Sequence, residues 1–210
     1  MKRDPAVGLR ERKKHQTRRS IVEAAGRLFA DQGFTATTMD EIAAAATVSP
    51  GTLYNYFGTK NMILLAHVES HVAAMMDAGA AVLADPPADV VDAVQALAGV
   101  YLGELIDLER GLLREVFAAG FGPSPDLLPE LIRFDQLLAD QLGALVRHFS
   151  ATGDIDPGIE IDQAVTLLYS LLFTQLIMYV SVEHMETDTL RHAVARQIEV
   201  AFSGLRAQER

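Results

Sequence analysis

Apolar residues recur at intervals of three and four along almost the whole chain, and nowhere does the strict alternation of a half-buried strand appear. The pattern predicts an all-α protein of about nine helices, without internal repeats or low-complexity tracts. Ile21, Ala25, Leu28 and Phe29 mark one face of a first helix. Gly33 followed by Phe34 reads as its left-handed C-terminal stop. Thr38 opens a second helix, with the Thr-x-x-Glu spacing to Glu41 that forms a capping box. Ser49 caps a third, whose first position holds Pro50, where a missing N–H costs nothing. Thr59 caps a long fourth helix reaching about Asp85. Later loop signals fall at 85–89, 120–125, 152–158 and 183–188.

The third helix is short and crowded, with Tyr54, Asn55 and Tyr56 in a row before Gly58 ends it. Ile42, Ala46, Val48, Leu53 and Phe57 place apolar groups inward on both sides of the preceding turn. Two short helices can then pack across that turn against the first, which is a helix-turn-helix. Only Leu53 and Phe57 tie the third helix to the core, and its opposite face is left for a DNA major groove about 12 Å wide. A short helix suffices, since mainly its N-terminal residues meet base edges. Taken alone, Pro50 and Gly51 could equally serve only to start the helix, and Tyr54 could be half-buried core.

Charge changes that balance. The formal net charge of -10 argues against nucleic acid, but residues 1–60 carry net +4 and residues 61–210 net -14. Within residues 1–19 there are eight Lys/Arg against two Asp/Glu. A basic head on an acidic body suggests polyanion binding, because phosphate affinity follows local potential rather than net charge. The absence of cysteine excludes disulfides, thiolate metal sites and cysteine nucleophiles, and suits a reducing cytoplasm. The N-terminus lacks the apolar run of a secretory signal. The uncharged stretch 164–182 is marginal in length for a membrane span and is interrupted by Thr166, Ser170, Thr174, Gln175 and Ser181. It reads instead as a helix enclosed by a core or an oligomer interface, with no membrane partner.

Residues 17–68, with A-x-x-L-F-x-x-x-G-F-x-x-T-T, then I-A, then V-S-x-G-T-L-Y-x-Y-F-x-x-K, resemble the N-terminal domain of TetR-family transcriptional regulators. The resemblance is close over about a quarter of the chain, and the remainder matches only in length and helical plan. It implies a homodimer with a three-helix DNA-binding head, here 1–60 with its basic arm. It also implies a ligand-binding and dimerisation body, here 61–210. Carried over by position, Thr37, Thr38, Ser49, Tyr54, Tyr56 and Lys60 would contact phosphates. Pro50, Gly51, Thr52 and Asn55 would lie nearest base edges. Members of the family often have larger or basic residues near Pro50 and Asn55, so few direct base contacts are expected, with Asn55 to an adenine edge the best candidate. The arm, with Arg10, Arg12, Lys13, Lys14, Arg18 and Arg19, would add backbone or minor-groove contacts and a steep salt dependence.

In the body, Leu190, Val194, Ile198, Ala201 and Leu205 form a bundle seam. With Leu172, Gln175 and Tyr179 of the preceding uncharged helix they are expected to build a two-fold, four-helix interface, as a palindromic operator requires. Met75, Met76, Tyr101, Phe117, Phe121, Phe134, Leu137, Tyr169, Phe173 and Met178 are candidates to line a pocket for an apolar or amphipathic inducer. Each of them could also simply fill the core. His67 and His71 are four apart on the fourth helix, but spacing indicates no third metal ligand. No histidine follows a Glu by three, and H-E-x-x-H, G-x-x-x-x-G-K-[ST] and G-x-G-x-x-G are absent, which argues against an enzyme and a bound cofactor. The expectation is a ligand-responsive regulator, most often a repressor. An architectural DNA-binding dimer without inducer is the alternative.

Overall fold

The computed structural model describes residues 5–121 and 128–203, with side chains from 10–118 and 128–203. Among the described residues the secondary structure is nine α-helices and no strand. They are α1 (Pro5–Gln32), α2 (Met39–Ala45), α3 (Pro50–Tyr56), α4 (Lys60–Ala84), α5 (Val90–Asp107), α6 (Arg110–Phe121), α7 (Leu128–Thr152), α8 (Ile161–Ser181) and α9 (Thr187–Ser203). Residues 5–70 with 111–121 form one compact unit, and 71–110 with 128–203 form another.

In the first unit α1 and α2 pack together, as do α2 and α3. Ile21, Ala25, Phe29, Ile42, Leu53 and Ile63 are sealed from solvent at its centre. Local signals set the helix ends as expected. Gly33 has φ 81° and donates to the Phe29 carbonyl at 2.9 Å, and the capping box is present, Thr38 Oγ1 accepting from Glu41 N at 3.2 Å and Glu41 Oε2 from Thr38 N at 2.8 Å. Ser49 Oγ accepts from Thr52 N at 3.1 Å, and Thr59 Oγ1 from Met62 N at 3.2 Å. The basic arm differs from expectation. Arg10, Arg12, Lys13, Lys14, Arg18 and Arg19 belong to α1 itself, a single helix of 28 residues, and all are exposed. No Gly or Pro interrupts residues 9–25, and Arg, Lys, Glu and Gln are good helix formers.

The turn between α2 and α3 carries a local conflict. Thr47 N donates to Ala44 O at 3.1 Å and Val48 N to Ala43 O at 2.9 Å, the two bonds of a Schellman motif. The motif needs a left-handed residue at its centre. That residue is Thr47, φ 57°, the one non-glycine with positive φ among the described residues.

In the second unit α7 packs on α8, α5 on α9, α8 on α9 and α5 on α7. One boundary carries no sequence signal. α5 ends at Asp107 and Leu108 is extended (φ -72°, ψ 122°) with its side chain 2% exposed. Neither Gly nor Pro breaks the chain there. The new helix begins with Arg110, whose guanidinium donates to the carbonyls of Val182, Glu183 and Met185 and lies over the Tyr179 ring, 4.1 Å from its centroid. A cation thus closes the C-terminal end of α8, where unpaired carbonyls and the helix dipole favour one.

The dimer seam expected from α8 and α9 is turned the wrong way. Leu190, Val194 and Ile198 are at most 2% exposed within a single chain, packed in the subunit's own core, and Gln175 and Tyr179 are buried there too. Leu172 and Ala201 are half-buried, and Leu205 lies outside the described residues. Heptad-like spacing identifies an apolar stripe but not its partner, and here α5 and α8 of the same chain cover α9. The outward faces carry Leu167, Ser170, Thr174, Met178 and Val182 on the α8 side and Arg196 and Val200 on α9. α8 is also long and apolar enough to cross a membrane by length and composition alone.

Candidate nucleic-acid interface

The sequence of α3 divides by helical period into two faces. Leu53 and, at the C-cap, Phe57 are buried, whereas Pro50, Gly51, Tyr54 and Asn55 are exposed and Tyr54 keeps 52% of its surface. A Cβ added to Gly51 would meet nothing within 4 Å, so a ligand's surface can come close to the backbone at that point. Thr52 and Tyr56 are half-buried at the edges of this face. The hydroxyls of Ser49 and Thr52 are 2.8 Å apart at the N-terminus of α3. The positive end of the α3 dipole lies there and suits an anion.

Three of the residues expected to contact DNA are engaged elsewhere. Thr37 is 1% exposed; its hydroxyl donates to Gly33 O at 2.8 Å and accepts from Gln32 Nε2 at 3.3 Å. It is a loop strut. Lys60 Nζ donates to the carbonyls of Phe34 (2.6 Å), Thr37 (2.8 Å) and Thr35 (3.3 Å) and sits 4.4 Å from the centre of the Phe34 ring. Arg18 is folded back onto α4, paired with Glu69 at 3.3 Å and placed over the Phe57 ring. Thr38 is exposed, but its hydroxyl is shared with Glu41 at 2.8 Å. Hydrogen bonds from the Thr38 backbone and side chain hold the Glu41 carboxyl below its usual range.

Comparison with known proteins agrees with this geometry. Residues 21–67 match the family described as "Bacterial regulatory proteins, tetR family". Residues 21–67 are a TetR-family N-terminal domain. It is 43% identical over 60 residues to the HTH-type transcriptional regulator BetI of Rhizobium meliloti (strain 1021), a stretch that is 29% of this chain and 30% of BetI. With the HTH-type transcriptional regulator TcmR of Streptomyces glaucescens it shares 29% identity over 96% of this chain and 88% of that protein. Thermus thermophilus FadR, a TetR-family repressor solved with lauroyl-CoA, has the same fold, with a TM-score of 0.71 at 23% identity over 92% of this chain and 97% of FadR. The relatives are named as transcriptional regulators, and regulators of the TetR family are not enzymes.

The body's candidate residues do not form one set. Met75, Tyr101 and Phe134 are buried, and Met76, Leu137, Tyr169 and Phe173 half-buried, all in the second unit. Met178 is 47% exposed and points outward, Phe117 lies in the first unit, and the side chain of Phe121 is outside the described residues. Two polar groups missed by the sequence reading tie helices of the body together, Gln141 half-buried and Asp135 at an exposed edge. Gln141 accepts from Tyr101 Oη at 2.9 Å and donates to the Met76 carbonyl at 2.9 Å, directly against Gly79, where an added Cβ would fall 2.1 Å from Gln141 Oε1. Asp135 accepts from Tyr169 Oη at 2.5 Å, and Tyr169 stacks on Phe173 with centroids 6.0 Å apart. Burial pushes the Tyr101 hydroxyl upward, burial and Asp135 do the same to Tyr169, and burial raises Asp135 itself. A signal for Gln141 existed: it follows Leu138 and precedes Leu145 on the apolar stripe of α7. His71 Nδ1 is 3.7 Å from Glu104 Oε2, and the His67 ring is the atom group nearest Gly26 of α1.

Proposed function

We propose that this chain is a ligand-responsive regulator that binds a palindromic operator as a homodimer and is released from it by a small apolar or amphipathic inducer. The observation that carries the reading is the two-faced α3, anchored by Leu53 and Phe57 and open along Pro50, Gly51, Tyr54 and Asn55. On this reading Ser49, Tyr54, Tyr56 and Thr38 meet phosphates, Pro50, Gly51 and Thr52 lie nearest base edges, and Asn55 reads an adenine edge. The basic turns of α1 supply counterion-releasing contacts to the backbone. Residues 1–60 act as the head and 61–210 as the ligand-binding and dimerising body, in the cytoplasm with the DNA.

The dimer would use the outward faces of α8 and α9, because Leu167, Met178, Val182 and Val200 are 43–57% exposed there and need a cover. That replaces the seam of Leu190, Val194 and Ile198. Two heads then address half-sites about 34 to 36 Å apart. The inducer reading is supported by the methionines and aromatics of the body and by the binding of lauroyl-CoA to FadR. Ligand would favour one body conformation, and α4, continuous from Lys60 to Ala84, would carry the change toward the head. Coupling of about 1 to 3 kcal/mol is enough for release.

The test is selection of duplexes from a random library, then titration of the selected duplex and a scrambled one at moderate salt, with acyl-CoA thioesters as first candidate inducers. A palindrome bound at least a thousandfold more tightly than the scrambled duplex is expected. Equal binding to both would favour the architectural alternative, and no binding at low salt would end the proposal.

A further inference from the structure

We propose that Lys60 is a positioning residue for operator recognition: its ammonium, gripped by the carbonyls of the α1–α2 loop, sets where α3 stands relative to the first turn of α2, and it makes no phosphate contact. The inference rests on the DNA-binding reading above and deepens it. A lysine ammonium has three N–H donors. All three have acceptors here, Phe34 O, Thr37 O and Thr35 O, and the Phe34 ring lies against the same charge. Turning outward to a phosphate would leave three carbonyls to find other partners.

The placement is otherwise unfavourable. Lys60 is the first residue of α4, at the positive end of that helix's dipole, where an acidic residue is preferred. A distant set of acceptors explains why a cation stands there. Both sides of the grip are themselves fixed. Phe34 packs on Phe29 at 5.2 Å, Thr35 Oγ1 donates to Glu115 Oε1 of α6 at 3.2 Å, and Gln32 Nε2 bridges Thr37 Oγ1 and Glu41 Oε2. On the other side only Gly58 and Thr59 separate Lys60 from Phe57, the buried C-cap of α3. The loop leads directly into Thr38, the cap of α2. One ammonium therefore links the end of the recognition helix to the start of its supporting helix.

The experiment uses the full chain and a duplex that the wild type has itself selected, so that a failure of DNA binding as such shows in the wild type. Lys60→Met and Lys60→Arg are compared with wild type for thermal midpoint, for affinity to selected and scrambled duplexes well below that midpoint, and for the salt dependence of each. A positioning role predicts that selected-over-scrambled discrimination falls at least tenfold in Lys60→Met while the salt slope stays that of wild type. Lys60→Arg should lose discrimination as well, since a guanidinium is longer and spreads its donors over a plane, whereas these three carbonyls and the Phe34 ring close around the single Nζ atom. It keeps the charge and serves where Lys60→Met does not fold. A phosphate contact predicts instead that both affinities fall together and the slope becomes shallower by about 0.9 per lost contact, with Lys60→Arg close to wild type. That result overturns the proposal. So does a lowered thermal midpoint with unchanged discrimination, which would make Lys60 a stability residue only.

Discussion

Thr47→Gly should stabilise the protein, and the size of the gain can be worked from the turn. Thr47 occupies the left-handed position of a Schellman motif, with φ 57°. The same pair of bonds follows α7, where Gly153 N donates to Ser150 O and Asp154 N to Phe149 O, and there the left-handed residue is a glycine with φ 89°. A β-branched L-residue in that conformation costs roughly 1–2 kcal/mol through its Cβ. Glycine removes the clash but loses about 0.5–1 kcal/mol more chain entropy on folding. Thr47 is exposed, so no buried surface is given up. The net gain is about 0.5–1 kcal/mol, or roughly 1–4 °C for a chain of this size. Differential scanning calorimetry at fixed protein concentration reads it, with Gly153→Thr as the reverse control, expected to destabilise by a similar amount. Operator affinity should not fall, because the folded backbone already has the geometry glycine prefers. A Thr47→Gly protein that melts at or below the wild-type temperature would refute the strain argument.

Gly79→Ala should destabilise the body by about 1–3 kcal/mol through overpacking against Gln141. In the Gln141→Ala background most of that cost should vanish, and a double-mutant cycle by urea denaturation showing additivity would deny the contact. Arg110→Met should cost about 1–3 kcal/mol, since three carbonyls near the end of α8 lose a cationic donor and must turn to water; hydrogen exchange of the last α8 amides should speed up, and unchanged exchange would contradict the clamp. Glu41 titrates below the usual glutamate range in the folded chain, so its capping contribution is full above that range and is lost as pH falls through the lowered value. Glu41→Gln keeps the cap without the charge, and the stability difference between it and wild type should shrink in acid; a constant difference from pH 7 to 3 would be inconsistent with that assignment.

Helix ends were largely legible in the sequence because the interactions that make them span only a few residues. Gly33, the Thr38–Glu41 box, Ser49 with Pro50, and Thr59 each act within one turn, and each stands where its local chemistry places it. The two-faced α3 was legible for a related reason: the helical period alone separates Leu53 from Tyr54 and Asn55. The break at Leu108 had no such signal, because an extended leucine in a core and an arginine on the end of α8 are imposed by distant partners.

The same distinction runs through the site. Charge counting placed a basic head on an acidic body, and the residues of the head sufficed to identify its family. Residue type could not say that Lys60 spends its charge on three backbone carbonyls, that Thr37 is buried, or that Arg18 lies back on α4. A periodic stripe such as Leu190, Val194 and Ile198 shows that a helix has an apolar side, but only packing determines whether that side meets its own chain or a second copy. Sequence therefore determined the helices, their caps and the identity of the head. Tertiary structure decided which charges remain free and which faces remain uncovered, because both depend on groups far apart along the chain.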